Sequence, residues 1–207
     1  MLEDEYERDR RRLPRHLRRR PALPAAFSFE LRPATRADMA DVREIYNHYV
    51  TNSVVTFDEK RWTHRQWIEK YDHLTKLGLP FLVAVSPSGH VLGYGLVSPW
   101  TGKSGFRYTV ENSIYLGQAA TGKGLGRALL EALIAECEDR GIREMVAVIS
   151  DKGAEASIAL HEKLGFVEVG RMGKVGFKFG RSLGTVYLQK HLTPKKKPSL
   201  LSKVLSR

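Results

Sequence analysis

A strand-like run, Ser113-Ile114-Tyr115-Leu116-Gly117, passes through a short linker into Thr121-Gly122-Lys123-Gly124-Leu125-Gly126-Arg127 and then straight into the helical stretch that begins Ala128-Leu129-Leu130. Glycines let a backbone turn tightly with no side chains in the way. Several N–H groups at a helix start can then point at one phosphate group, whose charge the helix dipole also favours. The chemistry implied is anion binding by the main chain. Two other owners of glycine-rich loops fit poorly. Residues 117–123 have the G-x-x-x-x-G-K frame of a P-loop, but Gly124 follows where a serine or threonine hydroxyl must bind magnesium. The spacing of Gly122, Gly124 and Gly126 is not G-x-G-x-x-G, and Glu144, at the distance of a ribose-binding acid, opens a strand with no other feature of a dinucleotide unit. Lys123 and Arg127 either add charge against a phosphate or are solvated residues of the helix start.

Upstream of this loop, Glu111 interrupts a strand otherwise rich in Val, Ile and Tyr, a poor choice for packing and so a candidate for function. The elements that must position these residues follow from hydrophobic periodicity and from Gly and Pro breaks. Phe27, Phe29 and Leu31 alternate as a first strand, ended by Arg32-Pro33. Asp38 caps a helix whose apolar positions Met39, Val42, Ile45, Tyr46 and Tyr49 recur at helical spacing to about Val50. A second helix is predicted over 62–77, a hairpin over 81–85 and 91–97, a strand over 107–116 and a long amphipathic helix over 125–140. An apolar strand over 144–149, a helix over 154–164 and short strands near 166–169 and 185–189 complete the pattern. No internal repeat is visible.

Bulk properties limit the remaining possibilities. A chain of 207 residues with 42% hydrophobic and 28% charged content supports one globular domain with a real core. No apolar run is long enough for a membrane span, and the charged first 26 residues do not read as a secretory signal, which predicts a cytoplasmic protein. The single cysteine, Cys137, cannot form an internal disulfide and reads as a small half-buried filler in a helix. Net charge is +11, and most of it sits at the ends. Residues 1–26 hold eight arginines against five acidic residues, and residues 193–207 hold four lysines and one arginine with no acid. The domain is therefore expected over 27–192, between a disordered Arg-rich arm and a flexible basic tail.

Five blocks extend the argument from the loop to a family. Ile45-Tyr46-Asn47, Thr56-Phe57, the run from Arg107 to Tyr115, Leu160-His161-Glu162-Lys163-Leu164-Gly165-Phe166, and Gly176-Phe177-Lys178-Phe179-Gly180-Arg181 resemble, in order and spacing, the phosphinothricin acetyltransferase branch of the GNAT N-acetyltransferases. The loop itself resembles that family's acetyl-CoA pyrophosphate motif, with Gly124 and Gly126 at its glycine positions and Thr121 where arginine or glutamine is common. The resemblance implies the GNAT fold, an α/β (α+β) domain with a mixed, mostly antiparallel sheet flanked by about four helices.

It also implies a reaction. The acetyl group of acetyl-CoA would pass to the primary amine of a small amino-acid-like molecule of the phosphinothricin or methionine sulfoximine type. An ammonium must lose a proton before it can attack a thioester, and the resemblance makes Glu111 the base, directly or through water. His161 stands where many relatives place the tyrosine that protonates the leaving thiolate, and imidazole can donate or accept near neutral pH. Direct attack needs no covalent enzyme intermediate. The cofactor would contact Ile114, Tyr115, Leu116, Gly122, Lys123, Gly124, Leu125, Gly126 and Arg127. Ala154, where an asparagine is usual, predicts a weaker grip. Phe57, Thr101, Gly102, Lys103, Arg107, Asn112 and Ser113 are candidates for the acceptor side, with Lys103 or Arg107 as cationic partner of a carboxylate or as an exposed loop charge. Thr101, Ser182 and Gly184 depart from the branch's usual residues, which leaves the acceptor open. A homodimer is implied, no metal is required, and nucleic acid is expected only nonspecifically through the basic tails. Other amines (a protein N-terminus, a polyamine, an aminoglycoside) and an inactive module binding anionic partners are the competing readings.

Overall fold

A computed structural model describes residues 27–195, and the expectations for 1–26 and for the tail beyond 195 lie outside the described residues. In chain order the elements are β1 (Glu30–Pro33), α1 (Met39–Asn52), α2 (His64–Lys76), β2 (Phe81–Val85), β3 (Val91–Pro99), β4 (Thr109–Leu116), α3 (Leu125–Asp139), β5 (Glu144–Ser150), α4 (Glu155–Lys163), β6 (Val167–Lys178) and β7 (Arg181–His191). The strands form one seven-stranded sheet in the order β1-β2-β3-β4-β5-β7-β6. Every neighbouring pair is antiparallel except β4 and β5, which run parallel. The mixed, mostly antiparallel sheet with four helices that the sequence led us to expect is the architecture observed.

Alternation along β3 shows how the two faces are filled. The Tyr94 ring packs on Trp67 of α2, with centroids 5.5 Å apart, while a Cβ added at the next residue, Gly95, would stand 2.9 Å from Leu133 Cδ1 of α3. One face is therefore covered by α1 and α2 and the other by α3. The buried side chains of α3 (Leu125, Leu129, Leu130, Leu133 and Cys137) recur at helical spacing, as do Met39, Val42, Tyr46 and Val50 of α1. Cys137 is fully buried where a half-buried filler was expected, and burial pushes its thiol up to about 12. No described helix is long and apolar enough to cross a membrane.

Helix starts explain most boundary differences. The Asp38 carboxylate serves the 3-10 turn ahead of α1, accepting from Thr35 N–H and hydroxyl at 2.7 and 2.8 Å and from both Arg32 amino groups at 2.8 and 2.7 Å. Thr63 caps α2 in a reciprocal box with Gln66, so Trp62 lies just outside the helix. Its backbone is clasped instead by the Asn47 amide, which receives the Trp62 N–H at 2.7 Å and donates to its carbonyl at 2.8 Å. At the N-terminal edge, β1 begins at Glu30, so Phe27 and Phe29 precede the strand.

The largest departure is the hairpin of β6 and β7, which is much longer than the two short strands expected. Glycines at 170, 173, 176, 180 and 184 break the apolar alternation that marks a strand. In the fold they are accommodated by register shifts along the pair and by the turn. Phe179 and Gly180, with φ of 49° and 71°, make the tight turn whose twist matches paired strands. At the other end of the chain, Thr193 and Lys195 donate backbone N–H groups to Glu138, which fastens the first residues after β7 to the end of α3.

Burial alone would raise the Asp38 pKa, but the Arg32 guanidinium and the Thr35 donors outweigh it and hold the carboxyl below its usual range. The stability this confers is full above the ordinary aspartate value of about 3.9 and is lost as pH falls through the lower folded value. Asp38→Asn is therefore expected to destabilise the fold by roughly 2–3 kcal/mol in urea titrations at pH 7, since it leaves Arg32 without its charged partner. The gap between variant and parent should close as the pH falls through the lowered folded value of Asp38.

Candidate active site

The ladder between β4 and β5 is short. Thr109, Val110 and Glu111 pair with Glu144, Met145 and Val146, and there the pairing stops, although both strands continue. At the point of parting the Asn112 side chain donates to the Val146 carbonyl at 3.1 Å, replacing the next rung of the ladder with a side-chain contact. Beyond it a cleft of about 410 Å³ opens between the strands. Of the expected site residues, Asn112, Ser113, Ile114, Tyr115, Leu116, Gly122, Gly126, Ala154 and His161 line it. Tyr49, Ser157 and Leu160 also line it and were not anticipated, because on the sequence they are unremarkable helix positions.

The glycine loop supplies the mouth. Gly122 and Gly124 have φ of 72° and 80°, the left-handed region that favours glycine, and Gly124 is the N-cap of α3. Among the described residues, none of the N–H groups from Gly122 to Arg127 donates to a protein acceptor, whereas Thr121 N–H before them and Ala128 N–H after them do. Six consecutive donors at a helix start form a receptacle for a charged oxygen-rich group. A Cβ on Gly126 would lie 3.4 Å from Leu160 Cδ2 and 3.5 Å from Leu116 Cδ1, so any larger side chain would intrude between these cleft residues. The flanking charges have other partners. Lys123 Nζ lies 4.6 Å from the Phe27 ring centroid, and Arg127 pairs with Glu131 at 2.8 Å on the helix surface. Leu125 is buried in the core, so only its amide faces the loop's task.

Glu111 and His161 sit on opposite faces of β4. Asn112 and Ile114 point toward α3 and α4, and Glu111, Ser113 and Tyr115 point toward α1 and α2, where Tyr115 meets Tyr46 and Tyr49. Burial raises the Glu111 pKa above the ordinary carboxylate value, with the nearby charge of Lys70 acting against it. Lys70 was not anticipated: a lysine on a surface helix reads as solvated, although its spacing from Trp67 and Leu74 places it on the apolar stripe of α2. His161 is buried, with Nδ1 2.8 Å from the Ser157 carbonyl and Nε2 3.0 Å from Asn112 Oδ1. Both partners only accept, so the ring fully satisfies them when protonated; burial, the larger effect, nevertheless lowers its pKa, with the Ser157 carbonyl opposing. Such a ring, neutral at rest but with an acceptor waiting at each nitrogen, is suited to carrying a proton briefly.

Of the acceptor-side candidates, Asn112 and Ser113 line the cleft, whereas Phe57, Thr101, Gly102, Lys103 and Arg107 do not. The Asn112 amide is committed to Val146 and His161. Phe57 lies over Gly176, where a Cβ would stand 2.5 Å from its ring. Thr101, Gly102 and Lys103 lie in the loop after β3, with Lys103 exposed, and Arg107 donates to the Ser104 carbonyl and stacks on Tyr108 at 4.8 Å. Among the described residues no cluster of His, Cys, Asp and Glu could hold a metal ion.

Comparison with known proteins agrees with this geometry. Residues 40–166 match the model of the acetyltransferase (GNAT) family. The chain is 40% identical over 168 residues, 81% of its length and 97% of the relative's, to the L-methionine sulfoximine/L-methionine sulfone acetyltransferase of Pseudomonas aeruginosa. It is 37% identical over 155 residues, 75% of its length and 78% of the relative's, to the phosphinothricin N-acetyltransferase of Alcaligenes faecalis. A GNAT superfamily phosphinothricin acetyltransferase from Sinorhizobium meliloti, solved in complex with acetyl-CoA, superposes with a TM-score of 0.78 at 39% identity, covering 84% of this chain and 94% of that one.

If the free amides do the binding, side-chain charge at the loop should matter less than backbone shape. Gly122→Ala together with Gly124→Ala imposes about 1–2 kcal/mol of strain per residue in the left-handed region, and coenzyme A titrated by calorimetry should bind at least about tenfold more weakly. Lys123→Ala should change the same affinity by less than about threefold, the modest loss expected of a screened surface charge.

Proposed function

Since this chain belongs to the GNAT acetyltransferase family and takes acetyl-CoA as its acyl donor, we propose that it acetylates the primary amine of a small amino-acid-like acceptor, of the phosphinothricin or methionine sulfoximine type, with Glu111 as general base. The observation that carries the reading is the run of six amides, residues 122–127, that have no acceptor among the described residues, together with a β4 edge that β5 has left free. Those amides would hold the diphosphate of the donor, and the open edge at Ile114, Tyr115 and Leu116 would receive its pantetheine arm. Acetyl-CoA, when bound, supplies the acetyl group as an activated thioester. Ala154 has no side-chain amide with which to add a contact.

Glu111 lies where β4 and β5 part, at the head of that edge. Its raised pKa makes it a stronger base than an exposed carboxylate, which suits removal of a proton from an ammonium. The neutral amine then attacks the acyl carbon directly, and orientation by the cleft provides much of the acceleration. We assign to His161, buried at the cleft wall, the return of a proton to the departing sulfur. The acceptor class rests on the relatives' activities and on the blocks from Arg107 to Tyr115 and around His161.

We also read the molecule as a homodimer. Val167, Val169, Met172, Val175 and Phe177 are all exposed on β6, at the edge of the sheet, and Phe179 is exposed at the turn that follows. An apolar edge of this kind is the type of surface a second copy covers. A chain of 23.4 kDa should sediment at twice that mass, and Phe177→Glu should shift it toward the single-chain mass.

Glu111→Gln is expected to lower kcat by about 10²-fold or more with acetyl-CoA binding retained, the scale of a positioned base. In the parent, kcat/KM should fall on the acid side through a pKa above the ordinary glutamate range, and that limb should vanish in the variant. Thiol release with phosphinothricin, methionine sulfoximine, methionine sulfone and natural amino acids would identify the acceptor; activity on peptides alone would overturn the choice of class.

A further inference from the structure

Among the described residues Lys70 is in no ion pair. It sits half-buried on the stripe of α2 that faces the sheet, between the buried Trp67 and Leu74. Its ammonium donates to Ser98 Oγ at 3.2 Å and lies 6.0 Å from the Trp62 ring centroid. Among the described residues these are its contacts, and no carboxylate comes within ion-pairing distance. Ser98 is the direct cross-strand partner of Glu111, and residues so paired carry their side chains side by side on one face. The ammonium on Ser98 is therefore a near neighbour of the Glu111 carboxylate, close enough that each affects the other's charge. Asp58 is the other acid that acts on Lys70, but its carboxylate already accepts from the Tyr46 hydroxyl at 2.5 Å and from Trp62 Nε1 at 2.7 Å. Ser98 fills one of the three donor directions of the ammonium, and a partly desolvated charge with two directions open is costly unless a ligand completes it.

We propose that Lys70 is the ligand of the acceptor's carboxylate, paired across the site with Glu111, which takes the acceptor's ammonium. A free amino acid carries these two charges on neighbouring atoms, and Lys70 and Glu111 present the complementary pair on one face of the sheet. Of the cations suggested by the sequence, Lys103 is exposed in its loop, and Arg107 donates to the Ser104 carbonyl and stacks on Tyr108. Lys70 also rejects acceptors that lack a carboxylate, since they leave its charge uncompensated. This assignment rests on the reading of Glu111 as base and of the acceptor as an amino acid.

The test compares L-methionine sulfone with its decarboxylated counterpart, 3-(methylsulfonyl)propylamine, in the full chain with saturating acetyl-CoA. Lys70→Met keeps length and apolar contact, and Lys70→Arg keeps the charge. For Lys70→Met, the KM for the amino acid should rise about 10- to 100-fold, the range for one charge-assisted hydrogen bond, with the KM for the amine unchanged. Lys70→Arg should recover most of the loss. Melting temperature and coenzyme A affinity should stay at the parent's values, which separates a lost contact from a damaged fold. An amino-acid KM that ignores Lys70→Met overturns the assignment and leaves the acceptor reading standing. Equal losses of kcat on both acceptors, with a shifted acid limb, also overturn it, because Lys70 would then act only through Glu111. A parent that acetylates the amine but no amino acid defeats the acceptor reading itself.

Discussion

Everything in the site follows from where β4 and β5 stop pairing. Parallel neighbours in a sheet normally continue their hydrogen bonds to the end of the shorter strand, and here three residue pairs suffice before the strands separate. Asn112 sits at the crotch, with one end of its amide on the Val146 carbonyl and the other facing His161. The parting leaves main-chain groups of β4 exposed to a cleft, and it exposes them in line with the free amides of the glycine loop. A ligand with a linear polar arm and an anionic end is what such a surface accommodates.

The loop and the fork divide the work by chemical type. Backbone donors offer positive charge without adding a titratable group. Titratable chemistry is confined to β4 and its neighbours, where the sheet's alternation sends Glu111 toward α1 and α2 and the Asn112–His161 pair toward α4. The two faces of one strand thus meet different titratable groups, with burial raising the pKa of Glu111 and lowering that of His161 so that each favours its uncharged form.

Around Glu111 the environment is unusually aromatic. Tyr46, Tyr115, Trp62 and Trp67 pack on one another beneath α1 and α2, and Asp58 is tied into that cluster by its bonds to Tyr46 and Trp62. Such walls exclude water, which strengthens the interaction of every charge that remains inside.

The primary structure by itself determined a good deal. Glycine spacing at a strand-to-helix junction points to a main chain shaped for anion binding, because the left-handed angles that Gly122 and Gly124 adopt favour glycine over residues with a side chain. Periodicity and caps gave the helices to within two residues at most ends, and the ordered blocks around Glu111 and His161 gave the family. What the tertiary structure alone decided is which of these residues meet. The long β6–β7 hairpin was hidden by glycines that break the strand pattern, and the commitment of Asn112 and Arg107 to other partners is written in contacts, not in composition. Lys70 stands near Glu111 only because α2 packs its Trp67 stripe onto β3. Local preferences depend on a residue's chain neighbours and are legible in sequence; the field at a carboxylate depends on whatever the fold brings within a few ångströms, and that is set by packing across elements far apart in the chain.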